Sequence, residues 1–372
     1  MCSLISMIFI SAAAGATAAT GTGDRWVNPA VTPLECTRNG TFFQRSDGSL
    51  LTIESGQVRA STDGGVSWTP VGVPFDAGAQ FEHVGHVGQF MQMRDGSWVV
   101  VYLDMAHINW GWNDERGEPN PDVKLEMWSV RSKDEGTTWI DKQRVLDGYN
   151  ADFMGFIETR DGRLVASVEH LDPNIKRWVA MSLWSDDGGV TWNKSNVIDL
   201  GGHGHHDGAL EPSVVELKDG RLMMWIRTNH DYFWKAYSND GGRNWRHVER
   251  STVEASSAPA WLGRMASGRL GLLWNPAKAE GATVIDRRPP GPGHANPTSW
   301  FREELCIAFS DDDGETWSKP VVIARQPKGQ LSYPYFLERA PGELWVFTRY
   351  TFMPGGAAAP LQVRLKEQDF VK

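Results

Sequence analysis

The chain has 372 residues, and its 37 Lys and Arg against 46 Asp and Glu give a formal net charge of −9 at pH 7. This charge, without any basic run, argues against a nucleic acid or an anionic membrane surface as partner. The 39 glycines and 18 tryptophans suit many short strands joined by tight turns and anchored by large aromatic side chains.

The first 22 residues predict a cleaved secretory signal peptide. They carry no charge, contain a short apolar run from Leu4 to Ala14, and offer the small-residue sequence Ala16-Thr17-Ala18 for cleavage. The apolar run is too short to span a membrane. We therefore expect residues 23–372 to form the mature protein, which would be secreted or periplasmic. Cys36 and Cys306 would remain after cleavage, and a disulfide between them is left open.

Six strand–turn–strand units follow along the chain, each with a turn glycine between two apolar runs. The turn glycines are Gly48, Gly96, Gly162, Gly220, Gly268 and Gly342. Each unit predicts a pair of short antiparallel strands joined by a tight loop.

Five of these units are followed by one repeated pattern, Ser-x-Asp-x-Gly-x-(Thr/Ser/Asn)-Trp. Its copies start at Ser61, Ser132, Ser185, Ser238 and Ser310. The Ser and Asp side chains can bond to nearby backbone N–H groups, the Gly supplies a positive φ, and the Trp enters the next strand. Five equivalent copies favour a structural turn over five catalytic sites. The repeats predict an all-β, six-bladed β-propeller of four-stranded antiparallel blades, in one domain over residues 23–372.

One end of this propeller is the expected location of the site. Within a blade, the glycine turn joins strands one and two from the centre, and the repeated box joins strands three and four. Antiparallel geometry places both turns at the same end, so the loops between strands two and three lie at the other. Two of these loops are long, roughly residues 104–122 and 275–302, and predict a carbohydrate-sized groove.

The repeated boxes resemble the Asp-box of sialidases, and residues at the expected site end extend the resemblance. Glu211 and Arg227 lie where sialidases hold the glutamate partner of the nucleophile and the second arginine of an arginine triad. Tyr333 matches the tyrosine nucleophile, while Arg302 and Arg38 match the third and first arginines. The resemblance implies an exo-α-sialidase type of glycoside hydrolase with an acidic glycan as substrate.

The chemistry of an acidic sugar explains this set of residue types. Guanidinium groups bind the sugar carboxylate in a planar, bidentate geometry that Lys does not reproduce. A carboxylate nucleophile would be repelled by that substrate charge, whereas a neutral Tyr deprotonated by a neighbouring Glu is not. Structural roles are the alternative: Tyr333 as a buried aromatic, Glu211 and Arg227 as an ion pair, and Arg302 as a surface residue.

Two features depart from the sialidase pattern. The Arg-Ile-Pro of the family is here Arg38-Asn39-Gly40, and the short first-unit loop, residues 54–57, lacks the Asp that serves sialidases as general acid. Glu54 of that loop is one candidate for the missing acid. The other candidates lie in the long second-unit loop, where Asp104 and His107 are the catalytic candidates beside Asp114 and Glu115.

Histidines cluster at the same end of the predicted propeller: His83, His86, His107, His170, His203, His205, His206 and His230. Near neutral pH they could form loop hydrogen bonds or transfer protons. His205, His206 and Asp207 could bind zinc, but their spacing is not a recognised signature, so neither a metal nor another cofactor is predicted. His206 and the loop residue Trp110 are expected to contact substrate.

Three functions remain open at this point. The first is a secreted, monomeric sialidase-like hydrolase that uses Tyr333 and Glu211. The second is a polysaccharide lyase or a His-dependent glycosidase on uronic-acid glycans, in which Arg227 and Arg302 neutralise the uronate. The third is a non-catalytic carbohydrate-binding propeller that uses the rim tryptophans Trp110, Trp112 and Trp261.

Overall fold

The computed structural model describes residues 25–54, 56–76, 88–353 and 359–371. The expected signal peptide lies outside the described residues, as do His83 and His86. Within these ranges, no helix combines the length and the apolar character needed to cross a bilayer.

The chain begins with two short strands and then forms the first two blades, whose strands are given from the centre outward. The N-terminal strands are β1 (Trp26–Val27) and β2 (Thr32–Pro33). Blade one comprises β3 (Phe43–Gln44), β4 (Leu50–Glu54), β5 (Gln57–Ser61) and β6 (Thr69–Val71). Blade two and the hairpin inserted in it comprise β7 (Gly88–Gln92), β8 (Trp98–Leu103), the hairpin strands β9 (Trp112–Asn113) and β10 (Glu118–Pro119), β11 (Met127–Ser132) and β12 (Ile140–Leu146).

The next two blades repeat the same antiparallel order. Blade three comprises β13 (Tyr149–Glu158), β14 (Leu164–Asp172), β15 (Arg177–Ser185) and β16 (Asn193–Lys194). Blade four comprises β17 (Leu210–Glu216), β18 (Leu222–Arg227), β19 (Tyr232–Ser238) and β20 (His247–Glu254).

The last two blades follow the same order and complete the ring. Blade five and its inserted hairpin comprise β21 (Trp261–Arg264), β22 (Leu270–Trp274), the hairpin strands β23 (Arg287–Arg288) and β24 (Thr298–Ser299), β25 (Glu304–Ser310) and β26 (Val321–Arg325). Blade six takes three strands from the C-terminal part of the chain, β27 (Gln330–Ala340), β28 (Glu343–Phe352) and β29 (Gln362–Lys366). One-turn 3-10 helices lie at Met105–His107 and Glu367–Asp369. The prediction of an all-β propeller with six four-stranded blades is confirmed.

The N-terminal strands complete the ring. β2 pairs with β29, Thr32 opposite Arg364, and so becomes the outermost strand of blade six. β1 pairs with β26, Trp26 opposite Arg325, and adds a fifth strand to blade five. The sixth unit lacks a repeated box because its fourth strand does not follow its third in the sequence.

The repeated boxes are turns, as predicted. In the first copy the Ser61 hydroxyl accepts the backbone N–H of Gly65 at 2.8 Å, and Asp63 accepts those of Val66 and Ser67. Hydrogen bonds lower the pKa of Asp63 to about 2, and the bond from the Ser67 side chain has the largest effect. The other four copies repeat the Ser-to-Gly bond at 2.8 to 2.9 Å. All five boxes join the third and fourth strands of a blade, at the end where the glycine turns also lie.

The core consists of apolar layers between neighbouring blades. Among the described residues, one cluster of buried side chains occupies each of the six blade interfaces. Cys36 and Cys306 are both buried and free, and they belong to different clusters, so the structure holds no bond between them.

The innermost strands surround an axial cavity of about 400 Å³. Each blade contributes to its lining, for example through Phe42, Gln89, Met154, Val214, Trp261 and Tyr335. Trp261, expected on the rim, therefore lies on the innermost strand of blade five and faces this cavity, edge-on to Tyr335 with ring centroids 5.6 Å apart.

Candidate active site

Two innermost strands carry residues in an unusual backbone conformation at the end opposite the boxes. Glu211 has φ +38° and Tyr333 has φ +55°, in the left-handed region that costs energy for residues other than glycine. Glu211 lies in a β-bulge, because Leu210 pairs with Arg227 whereas Ser213 pairs with Trp225, which leaves β17 one residue longer than β18. Bulges redirect side chains, and strain of this kind concentrates at functional sites.

Glu211 joins Tyr333 to Arg227. One carboxylate oxygen of Glu211 accepts the hydroxyl of Tyr333, and the other accepts Nη1 of Arg227 at 2.5 Å. Glu211 and Arg227 are only 5 % and 4 % exposed. Burial, and then the charge of Glu211, raise the pKa of Tyr333 well above its usual range. The phenol is therefore neutral at rest and already hydrogen-bonded to the carboxylate that could remove its proton.

Ser257 holds two guanidinium groups in place. Its hydroxyl accepts Nε and Nη2 of Arg227 at 3.1 and 2.9 Å, and its carbonyl oxygen accepts Nη2 of Arg302 at 2.5 Å. The guanidinium carbon of Arg302 lies 5.9 Å from the ring centroid of Tyr333. The structure thus brings Glu211, Arg227, Arg302 and Tyr333 together. Ser257 lies in the segment between blades four and five, and no sequence pattern indicated it.

Arg302 lacks an anionic partner. Within the described ranges it forms no ion pair with a carboxylate, and its Nε is buried without a hydrogen-bond acceptor. Burial, and next the positive charge of Arg227, lower the pKa of Arg302 to about 10. It is still a cation at neutral pH, and a bound carboxylate would supply the missing acceptor.

Two more carboxylic acids lie beside Glu211. Glu169 accepts the backbone N–H of Glu211 at 2.9 Å. Asp152 lies in a wide bulge, since Ala151 pairs with Glu169 but Gly155 pairs with Ser167. Desolvation, and then the charge of Glu211, raise the pKa of both acids well above the usual range. Asp152 lies near the start of its innermost strand, as Glu211 and Tyr333 do, and this shared position was the signal that could have identified it.

Arg349 adds a cation to the same group. It lies near the end of the second strand of blade six, as Arg227 does in blade four. Burial lowers its pKa, and Tyr350, Asp152 and Tyr333 are among the groups close enough to oppose that shift. Arg349 was not among the site residues predicted from the sequence.

Arg38 and Glu54, candidates for the first arginine and for the acid, pair with each other. Nη2 of Arg38 donates to Glu54 at 3.1 Å, and the Arg38 guanidinium lies 5.8 Å from the ring centroid of Trp68. Glu54 forms a second ion pair with Arg59, whose Nε lies 2.7 Å from a carboxylate oxygen of Glu54. Arg38 is thus held by this ion pair, whereas Arg349 is the further arginine near the nucleophile candidate, since Tyr333 is among the groups that raise its pKa.

Asp104 and His107 also form a pair of their own. The carboxylate of Asp104 and Nδ1 of His107 are 2.8 Å apart, across the one-turn helix that follows β8. The His107 side chain is 70 % exposed, whereas that of Asp104 is largely covered. The charge of Asp104 adds to the burial that raises the pKa of Tyr102, its neighbour on β8. The described contacts of this pair lie within blade two.

His206 lies at the arginine pair. Its ring centroid is 5.8 Å from that of Trp300, whose ring lies 5.9 Å from the Arg227 guanidinium carbon and 4.9 Å from that of Arg302. Although His206 is exposed, the surrounding protein desolvates its imidazole and, with the charges of His205, Arg227 and Arg302, lowers its pKa to about 3. His206 is therefore uncharged at neutral pH.

Aromatic rings connect His206 to Trp110. The ring centroids of His206 and His205 are 4.4 Å apart, those of His205 and Trp112 are 5.9 Å apart, and those of Trp112 and Trp110 are 6.1 Å apart. Trp110 is 37 % exposed and rests on Tyr149 at 4.8 Å. The long loop of blade two therefore carries an aromatic surface up to the arginine pair.

The His205, His206 and Asp207 set is used differently from a metal site. The Asp207 carboxylate accepts the backbone N–H groups of His203 and Ala295 at 3.1 and 3.2 Å, which ties two loops together. In the part of the chain that the structure describes, no group of three or more His, Cys, Asp and Glu side chains is arranged to hold a metal ion.

Repeated boxes, four-stranded blades and a Tyr–Glu–Arg site at one end define an Asp-box β-propeller. The chain belongs to the family of BNR repeat-like domains, whose sequence profile matches residues 91–346, more than half of its length.

The chain is similar to proteins named sialidase. The chain is 24% identical to a sialidase of Micromonospora viridifaciens over 340 residues, which cover 82% of this chain and 47% of that protein. It is also 24% identical to a sialidase of Paraclostridium sordellii over 302 residues, 72% of this chain and 73% of that protein. The chain therefore spans about half the length of the first of these relatives. The solved structure of the Hadza microbial sialidase Hz136 superposes with a TM-score of 0.59 at 18% identity, covering 90% of this chain and 66% of that one.

Proposed function

We propose that this protein is a sialidase-type glycoside hydrolase that removes a terminal acidic sugar from a glycan, with retention of configuration. The observation that carries the proposal is the hydrogen-bonded set of Tyr333, Glu211 and Arg227, next to an Arg302 that has no carboxylate partner. The relatives named sialidase support it.

In this mechanism Arg302 and Arg227 bind the carboxylate of the sugar and place its anomeric carbon at the Tyr333 hydroxyl. Glu211 removes the phenolic proton as the oxygen of Tyr333 attacks, and the bond to the leaving group breaks. A second acid donates a proton to the leaving oxygen. Water then attacks the anomeric carbon, and the bond from this carbon to the oxygen of Tyr333 breaks. The deprotonated acid takes a proton from that water, and Glu211 returns its proton to Tyr333.

We assign the second acid to Asp152. It lies near the start of an innermost strand beside Glu211, and desolvation raises its pKa well above the usual range, which favours the protonated form that a proton donor needs. Asp104 with His107 is the alternative donor, because the pair occupies the long loop of blade two at the same end of the propeller. The variants Asp152→Asn and Asp104→Asn separate the two assignments.

The uronic-acid alternatives depend on a histidine that exchanges protons. His206 is placed for such a role, but a pKa of about 3 makes it a weak base at neutral pH. A lyase would also produce an unsaturated uronate that absorbs in the ultraviolet, which hydrolysis does not. We therefore place hydrolysis first.

The deciding experiment is turnover of a panel of aryl glycosides of acidic sugars, a sialoside and a uronide included. We expect release of the aryl alcohol and of the reducing sugar, and a loss of about a thousandfold or more in Tyr333→Phe. The control is Tyr232→Phe, a blade-four tyrosine whose hydroxyl bonds to Glu254. Undiminished turnover by Tyr333→Phe would exclude the nucleophile assignment, and binding without any turnover would favour the carbohydrate-binding alternative.

We also propose, from the N-terminal sequence, that the protein is exported, and as a separate proposal that it acts as a monomer. Sequencing of the N-terminus of protein recovered outside the cytoplasm, and its mass in solution, test the two statements.

A further inference from the structure

A hairpin from blade five packs against the loop that carries His206 at the candidate site. It is formed by β23 and β24, and its tip contacts the loop that carries His206. There the backbone N–H of His206 donates to the backbone carbonyl of Gly293 at 2.8 Å. The contact is so close that a Cβ added to Gly204 would lie 2.6 Å from the backbone of Gly293. At the base of the hairpin, Nε of Arg287 donates to Asp231 at 2.7 Å.

The neighbouring residue of the same strand, Arg288, has no such partner. Within the described ranges it forms no ion pair and no side-chain hydrogen bond, and its guanidinium carbon lies 4.7 Å from the ring centroid of Trp300. The Trp300 ring also contacts Arg302 and Arg227. Three cations thus lie around one indole, and among the contacts of the described residues only Arg227 has a carboxylate partner.

The three arginines differ in which group their charge acts on. Arg227 and Arg302 are the cations that act on the Tyr333 phenol. Arg288 instead acts on Arg302, where its positive charge adds to the repulsion. Like charges held close together by the fold gain stability when an anion binds between or beside them.

We propose that Arg288, stacked on Trp300, binds a second anionic group of the substrate, a carboxylate or a sulfate, in addition to the carboxylate held by Arg227 and Arg302. This inference rests on the proposed function. It assigns the protein a preference for glycans in which the terminal acidic sugar is attached to another acidic or sulfated sugar. A stacked surface arginine without a ligand is the ordinary alternative.

The test compares substrates that differ in one charge. The probes are an α-sialosyl lactoside with one carboxylate, the same lactoside with a sulfate on the galactose, and an α2,8-linked disialoside, each assayed with wild type, Arg288→Ala and Arg243→Ala. Arg243 is the matched control, because its guanidinium also stacks on a tryptophan, 4.8 Å from the ring of Trp184, but in a repeated box at the opposite end.

We expect Arg288→Ala to lower kcat/KM about tenfold for one or both of the dianionic substrates, mainly through KM, and less than twofold for the monoanionic one. The substrate that loses more identifies the second group as sulfate or carboxylate. Arg243→Ala should change none of the three, and added salt should reduce the wild-type preference.

Equal effects of Arg288→Ala on all three substrates, or no effect on any, would overturn the inference while leaving the hydrolase proposal intact. Absence of turnover by the wild-type protein on all of them would instead remove the proposed function, and this inference with it. Melting curves confirm that Arg288→Ala is folded, and Arg288→Lys should recover part of the loss because it restores the charge without the planar stack.

Discussion

The buried pair of Glu211 and Arg227 allows structural and catalytic roles to be separated. In Glu211→Gln the shape is kept, but Arg227, which is 4 % exposed, becomes a buried cation without its carboxylate. Removing one partner of a buried ion pair typically costs 3 to 5 kcal/mol. Here the loss should be smaller, about 2 kcal/mol near pH 7, because removal of the Glu211 charge lowers the pKa of Glu169 and Asp152, and either can then ionise beside Arg227.

The companion variant, Glu211→Gln with Arg227→Met, removes both charges of the pair. Its free energy of unfolding should return to within about 1 kcal/mol of wild type, because replacing both partners of a buried pair by groups of similar volume is often neutral. Its hydrolytic activity should stay as low as that of Glu211→Gln, since neither variant can deprotonate Tyr333. Urea unfolding and turnover of an aryl glycoside measure the two quantities on the same samples.

Two results would refute this reasoning. If Glu211→Gln keeps full activity, Glu211 is not the base of Tyr333, whatever its effect on stability. If the double variant recovers activity together with stability, the single variant was inactive only because it was poorly folded, and Glu211 and Arg227 form a structural ion pair.

Further predictions concern the groups around this pair. Ser257→Ala removes two hydrogen bonds to the Arg227 guanidinium and should lower the free energy of unfolding by about 2 kcal/mol in urea titrations, with a raised KM; an unchanged KM would contradict its positioning role. Asp152→Asn should slow glycosides with poor leaving groups at least a hundredfold more than nitrophenyl glycosides, whereas the same pattern in Asp104→Asn would assign the acid to blade two. Desolvation raises the pKa of Glu169 in the folded state. The protonated Glu169 side chain therefore contributes fully to the free energy of unfolding below about pH 4, its pKa in the unfolded chain, and this contribution decreases as pH rises through the folded-state pKa. Glu169→Gln should therefore flatten the fall in urea midpoint between pH 5 and pH 8, and a slope equal to that of wild type would argue against a protonated Glu169.

The blade count was accessible from the sequence because each box forms its turn from its own residues. Ser61 and Asp63 bond to N–H groups within four positions, so the pattern reports local structure without knowledge of distant partners. The end of the propeller that gathers Glu211 and Tyr333 followed from strand order alone, because antiparallel strands alternate in direction.

What the sequence did not reveal depends on contacts made across the ring. β1 and β2 have two residues each and are strands only because β26 and β29 lie beside them. Arg38 pairs with Glu54, and Ser257 anchors two arginines. Each of these side chains has many possible partners in the sequence, and the folded geometry determines which of them lies close enough to bond. Asp152 lies in a bulge with two extra residues, so the alternation of its strand does not show which way the side chain faces, and only its place near the start of the strand indicates it.

The closure of the ring by β2 sets an order of events during synthesis. The partner of Thr32 is Arg364, which is synthesised 332 residues later and whose Nε donates to the Thr32 hydroxyl. At 5 to 20 residues per second, the N-terminal segment therefore stays without its partner strand for roughly twenty seconds to a minute. Throughout that interval blades one to five can form successively from neighbouring residues, but the ring stays open and β29 is the last strand to arrive. A deletion before residue 34 removes β2 and exposes the edge of β29, whereas one after residue 361 removes β29, leaves β2 without a partner and exposes the edge of β28, so both should leave an exposed edge at blade six.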